Sequence, residues 1–200
     1  MSKWMTTAAV LAACGVCFLA GQVSAQEDGG GGMQIPEWAQ KGPQHEDMKK
    51  WAGEWDVSQK MWMAPGQPPM EMSASNTNTL LWDGRYLTGD FKGNFMGTEF
   101  DGKLLMGFDR VDQKYVSIWI DSMSTYVSVS YGTEKDGKIV FETNDPDWVT
   151  GEKKKGEITI EWKGEDQYVL TMGGTAPDGS AYTQMEMTYT RKKAAATGDE

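Results

Sequence analysis

Several groups of residues in this chain have types that could do chemistry. Arg85 stands against Tyr86 and Leu87, and Asp121 ends the run Tyr115-Val116-Ser117-Ile118-Trp119-Ile120. A charge beside so much apolar surface is costly unless it is paired or wet. Asp121 therefore has a partner, faces water in a cavity, or marks a strand end. Arginine suits carboxylate recognition, because its planar fork grips both oxygens from one side. Arg85 and Asp121 thus read in two ways. One is a polar pair inside the fold that fixes the head group of an apolar ligand, with Tyr86 and Trp119 beside it. The plainer reading is a structural contact, either with each other or with backbone groups.

The other candidates are weaker. Met61-Trp62-Met63 and Met70-Glu71-Met72 flank Ala64 to Pro69, a hairpin tip. Four facing thioethers suit Cu(I), which soft sulfur selects. Ordinary strand alternation with methionine filling gaps explains them more simply, since no second His or Cys joins them. His45 is the single histidine. Alone it makes no zinc site. Pairing it with Ser122 or Ser124 for ester hydrolysis would lack a nucleophile elbow. Capping or packing of a leading helix is the expected role. Asp145-Pro146-Asp147 has too few oxygen ligands for calcium and reads as a solvated turn. No catalytic residue, metal ligand or cofactor is assigned.

Positioning these residues falls to a run of strands. A short helix is expected over Pro43 to Trp51, with Glu46 and Asp47 in its first turn and Lys49 and Lys50 in its last. Met48 and Trp51 share one face, and Gly53 ends it. From Glu54 the period becomes two. Trp55, Val57 and Met61 alternate with polar residues, and so do Val127, Val129 and Tyr131. Ile158, Ile160 and Trp162 follow the same rule, as do Tyr168, Leu170 and Met172, then Met185, Met187 and Tyr189. Turn chemistry at Ala64-Pro65-Gly66, Trp82-Asp83-Gly84, Asp136-Gly137, Lys163-Gly164 and Asp178-Gly179 separates them. About nine or ten strands result, without helical crossovers, so the sheet is antiparallel. That many strands close into a barrel or fold into two packed sheets, which removes exposed edges. The many aromatics either fill the interior or line a cavity in it.

The ends of the chain read differently. Lys3 precedes an apolar run from Ala8 to Gly21, and Val23-Ser24-Ala25 offers small residues for a signal peptidase. Residues 1–25 are expected to be an export signal, placing the protein in the periplasm or outside the cell. The alternative is a lipoprotein anchored through Cys14, because Leu11-Ala12-Ala13-Cys14 fits a lipobox. Both cysteines, Cys14 and Cys17, leave with the signal, so no disulfide is expected. No membrane span is expected after its removal. Residues 26–42 read as a flexible glycine-rich tether, 43–193 as one domain, and 194–200 as a frayed tail. Net charge is −10, and loss of Lys3 makes it −11, which repels phosphate backbones and argues against nucleic acid.

Gly53-Glu54-Trp55 at the head of the first strand resembles the Gly-x-Trp of lipocalins and other calycins. That resemblance implies a Trp plugging the closed barrel end, with an Arg of the last strand, here Arg191, lying over its ring. A wider pattern resembles the bacterial family DUF1579, a domain of unknown function regarded as calycin-like. It comprises His45 with Gly53-Glu54-Trp55, then Gly84-Arg85-Tyr86-Leu87, Phe100-Asp101-Gly102 and Gly107-Phe108-Asp109. Lys114-Tyr115, Trp119 to Ser124 and Tyr189-Thr190-Arg191-Lys192 complete it. The resemblance implies an all-β, calycin-like antiparallel barrel after one short helix, and it transfers no reaction. The expected function is binding of a small hydrophobic or amphipathic ligand, with Arg85, Tyr86, Trp119 and Asp121 nearest its polar end. The alternatives are a filled barrel that binds a protein, a small-ester hydrolase, or a Cu(I)-binding protein.

Overall fold

A computed structural model describes residues 33–176 and 178–193. The expected export signal, both cysteines, the glycine run and the expected C-terminal tail lie outside the described residues. Every helix and strand among the described residues belongs to one unit, Ile35–Glu200.

A 3-10 turn at Glu37–Ala39 precedes a short helix, α1, at Pro43–Asp47, which tightens into a 3-10 turn over Met48–Trp51. The single helix read from the sequence is therefore two pieces with one buried face, formed by His45, Met48 and Trp51. Gly53 then takes φ +118°, a left-handed angle that glycine adopts without a Cβ clash. A Cβ there would also meet the Arg191 guanidinium at 3.0 Å.

Ten strands follow. They are β1 (Gly53–Met61), β2 (Met70–Leu81), β3 (Tyr86–Phe95), β4 (Thr98–Asp109) and β5 (Lys114–Asp121). The others are β6 (Ser128–Lys135), β7 (Lys138–Pro146), β8 (Lys153–Trp162), β9 (Gln167–Thr175) and β10 (Ala181–Arg191). Each pairs antiparallel with its chain neighbours, and β1 pairs with β10, so the sheet closes into a ten-stranded calycin-like barrel. Closure leaves no strand edge unpaired, which is why the polar backbone is satisfied without helices packed on the sheet.

The interior is unequal along its axis. At the end carrying α1, Trp51, Trp55, Trp162, Tyr168 and Tyr189 form a dense aromatic plug. Trp51 and Trp162 meet edge-on at 5.1 Å, and Tyr168 stacks on Tyr189 at 4.3 Å. Above it lie Val57, Leu87, Met106, Tyr115, Phe141 and Ile160, all buried. Most polar groups inside this plug are paired, whereas the buried Trp162 Nε1 has no hydrogen-bond partner among the described residues. The Trp51 carbonyl accepts from Trp55 Nε1 at 3.0 Å and from Asn78 Nδ2 at 2.9 Å, while Asn76 donates to Asn78 at 2.8 Å.

Trp55 and Arg191 are directly opposite across the β1–β10 seam. The guanidinium carbon lies 4.2 Å from the Trp55 ring centroid. Arg191 also donates to the carbonyls of Lys50 (2.6 Å) and Ala52 (2.7 Å) and to Asp166 (2.9 Å). It thus caps the last turn before the barrel while closing the seam. Arg191→Ala removes a cation–π contact and leaves two carbonyls without donors. We expect a loss of about 2–3 kcal/mol in a urea titration. A loss below about 0.5 kcal/mol would mean that water replaces the guanidinium freely.

Candidate functional site

The site is built where the plug ends. Toward the hairpin tips opposite α1, the inner wall thins to small residues: Ala74 on β2, Gly93 on β3, Gly156 on β8 and Gly174 on β9. Small side chains there leave a cavity of about 620 Å³, open to solvent at that end. Its wall carries Phe91, Phe95 and Phe100 on one side and Met61, Met172 and Met185 on another, with Trp62, Trp148 and Tyr182 near the mouth. Volume and lining fall in the range of small-molecule pockets. The interior is therefore filled at one end and hollow at the other.

Trp119 supports one wall. Its ring lies over Gly102, where an added Cβ would come within 2.2 Å, and it stacks on Phe100 with centroids 6.4 Å apart. Its Nε1 donates to Asp121 Oδ2 at 3.2 Å, and the Met123 N–H donates to Oδ1 at 3.0 Å. Asp121 lines the cavity directly. So this carboxylate ends a strand, faces the cavity and is held by neutral donors. Asp145 lies nearby on the rim, accepting from Ser128 Oγ at 2.8 Å, and Ser128 is the cross-strand partner of Trp119. Asp147 opens the turn after β7, its carboxylate accepting from the Val149 and Thr150 N–H groups and its carbonyl from the Gly151 N–H. Lys154 donates to the carboxylate at 2.7 Å, and the N–H and hydroxyl of Thr150 and the N–H of Val149 add to this. Together they hold its carboxyl well below the usual range. The turn expected over Asp145-Pro146-Asp147 is corrected: Asp145 and Pro146 end β7, paired with Lys154 and Lys153, and only Asp147 lies in the turn that follows.

Arg85 and Tyr86 do not join Trp119 and Asp121. Tyr86 pairs with Gly107 and Asp121 with Gly102, five positions apart on β4, about 17 Å along the barrel. Arg85 donates instead to the Ala39 carbonyl at 2.7 Å. Tyr86 is turned outward and meets Trp82 edge-on. These two residues line a separate hollow of about 460 Å³, with Trp38, Leu105 and Ile118, where the leading segment meets the outer wall. The direct Arg85–Asp121 pair that the sequence allowed is thus corrected. Register decides it, and one-dimensional spacing carries no register for non-adjacent segments. Gln59, Asn94 and Thr143, which also line the inner cavity, escaped notice because each reads as an ordinary polar strand residue.

His45 sits at the plugged end. Its Nδ1 accepts the Gly42 N–H at 3.0 Å, and its ring meets Phe108 edge-on. Burial, with Arg85, Arg110 and Lys41 nearby, keeps its pKa below the ordinary value, against the opposing effect of the Gly42 hydrogen bond. Ser122 Oγ accepts from the Asp101 N–H and Ser124 Oγ from the Tyr126 N–H, both at the open end. Phe108 and Asp101 are seven positions apart on β4, so His45 and these serines are about 24 Å apart along the strand direction. They form no triad. Among the described residues, no group of three His, Cys, Asp or Glu is placed to hold a metal ion. No helix among them is long and apolar enough to cross a membrane.

A closed antiparallel barrel with an aromatic plug, an arginine over the plug's tryptophan and a cavity at the far end defines a calycin-like architecture. Its fold is similar to that in the crystal structure of Rv2717c from M. tuberculosis, with 12% sequence identity and a TM-score of 0.54, covering 76% of this chain and 99% of that one. The chain belongs to the DUF1579 family of proteins of unknown function, whose pattern matches residues 40–191. No curated protein matches the sequence.

Proposed function

We propose that the protein binds a small hydrophobic or amphipathic molecule in the open half of its barrel. The observation that carries this reading is the cavity of about 620 Å³ walled by phenylalanine and methionine, beside a fully packed plug. The apolar wall supplies the driving force by removing ligand surface from water. Asp121 and Asp145 on the rim supply polar contacts for the solvent-facing end, and Trp119 stiffens the wall that holds Asp121. Methionine adapts to ligand shape, because its side chain is unbranched and polarisable. Export to the periplasm or beyond would suit a carrier and belongs to the same proposal.

Titration with the fluorescent hydrophobe N-phenyl-1-naphthylamine tests this. One saturable site is expected. Ala74 lies between Val57 and Gly93 on the inner wall, so Ala74→Trp places an indole in the cavity. That variant should lower probe affinity by about tenfold or more while retaining the wild-type circular dichroism spectrum. Non-saturable probe uptake by the wild type, or unchanged affinity in the variant, would overturn the reading. Native mass spectrometry of protein from its own host would reveal a retained ligand as an added mass.

A further inference from the structure

The methionines outside the packed core follow a pattern in the register. Met70 is opposite Met61, Met61 is opposite Met185, and Met185 is opposite Met172. Four adjacent strands, β2, β1, β10 and β9, therefore give one methionine each to a single row across the inner wall. One step nearer the plug, Gln59 is opposite both Met72 and Met187. The set differs from the hairpin quartet suggested by sequence. Met63 is exposed on the tip, and the two strands on the far side of the seam supply the new members.

A bulge creates the row. The β9–β10 register shifts between Thr183 and Met185, leaving Gln184 as the extra residue. The Gln184 carbonyl accepts the Trp62 N–H at 2.9 Å, which ties the bulge to the end of β1. Strict alternation from Tyr182 would turn Met185 to solvent. With the bulge, Tyr182 and Met185 both line the cavity. Gln59 Nε2 donates to Met185 Sδ at 3.3 Å, orienting that thioether and leaving its second lone pair free.

We propose that Met61, Met172 and Met185 form a Cu(I) site on the inner wall, with Met70 at the end of the same row. Directly opposed side chains have Cβ atoms about 4.5–5.5 Å apart, and the concave wall leans them together. Each methionine has three rotatable bonds, so the flanking sulfurs of Met61 and Met172 can converge on an ion held at Met185. All three are half-buried and line an open cavity, so an ion can reach them. Neutral thioethers select soft Cu(I) over zinc, magnesium or calcium. The site does not depend on the organic-ligand reading.

The test uses the full chain carrying Cys14→Ser and Cys17→Ser, so that no thiol competes. Anaerobic titration with Cu(I) buffered by bicinchoninate should give one ion per chain. X-ray absorption should show sulfur alone among the protein ligands. Ag(I), a redox-inert stand-in, should shift the methyl carbon resonances of Met61, Met172 and Met185. Replacing these three with leucine keeps volume nearly constant, and should lower affinity roughly 100-fold with little change in melting temperature. Complete retention of copper by the chelator, nitrogen or oxygen ligation, shifts confined to other methionines, or undiminished binding in the folded leucine variant would each overturn the site. The spectra of the unsubstituted methionine set decide the matter even if the triple variant does not fold.

Discussion

Trp55→Ala is expected to destabilise the protein by about 3–5 kcal/mol, read as a shift of the midpoint in a denaturant titration. Trp55 has no exposed surface and is among the largest fully buried side chains. It meets Trp162 at 6.0 Å and Tyr168 at 4.9 Å, both near edge-on, so its removal leaves a cavity bounded by rigid rings that cannot collapse into it. Its indole N–H also pins the Trp51 carbonyl, and its face carries Arg191. One substitution therefore removes packing, a buried hydrogen bond and a cation–π contact. Trp55→Phe keeps part of the packing and should lose less. A Trp55→Ala cost under about 1 kcal/mol would mean that the plug does not hold the barrel shut.

A second large effect is expected at high pH. Burial raises the Tyr115 phenol to about 12, with Glu134 and Asp47 adding to it. Burial also pushes Tyr168 and Tyr189 above the ordinary phenol value, with Tyr189 adding to the effect at Tyr168. Unfolded tyrosines ionise near pH 10. Above that pH the unfolded chain has released protons that these native phenols still hold, so stability falls as pH rises. Below about pH 10 these three groups add no pH dependence. Loss proceeds as pH climbs through the folded value of Tyr115, and the other two extend it upward. The expected outcome is base unfolding in which three phenols ionise together with the loss of near-ultraviolet circular dichroism, followed at 295 nm. Smooth ionisation of all seven tyrosines by pH 11 with intact dichroism would contradict the buried plug.

The sheet was legible because its signals are local. Alternation at Trp55 and Val57, or at Ile158 and Ile160, needs only neighbouring residues, and Asp136-Gly137 marks its own turn. Barrel closure was not legible in this local way: strand number left a barrel and two packed sheets both open, and only the resemblance to calycins and DUF1579 implied the barrel. The positions of charged side chains were another matter. Asp121 finds its donors two residues away on either side, at Trp119 and Met123, an arrangement within ordinary strand spacing that nothing in composition singles out. Arg85 reaches the Ala39 carbonyl in the leading segment, where residues 26–42 had read only as a flexible tether. The hollow half was hidden because composition counts aromatics without saying where along the axis they fall. Met185 shows the limit most sharply. Alternation with Met187 and Tyr189 was visible, but the bulge at Gln184 that keeps Tyr182 on the same inner face was not.

The lengthwise asymmetry of the interior has an evolutionary consequence. Rigidity is concentrated in the aromatic end, whereas selectivity would reside in side chains that contribute little to it. Exchanges at Ala74, Thr143 or Met172 could retune what enters while the folding threshold stays met. Paralogues sharing one frame could in this way diverge toward different cargoes without first acquiring compensating stabilisers.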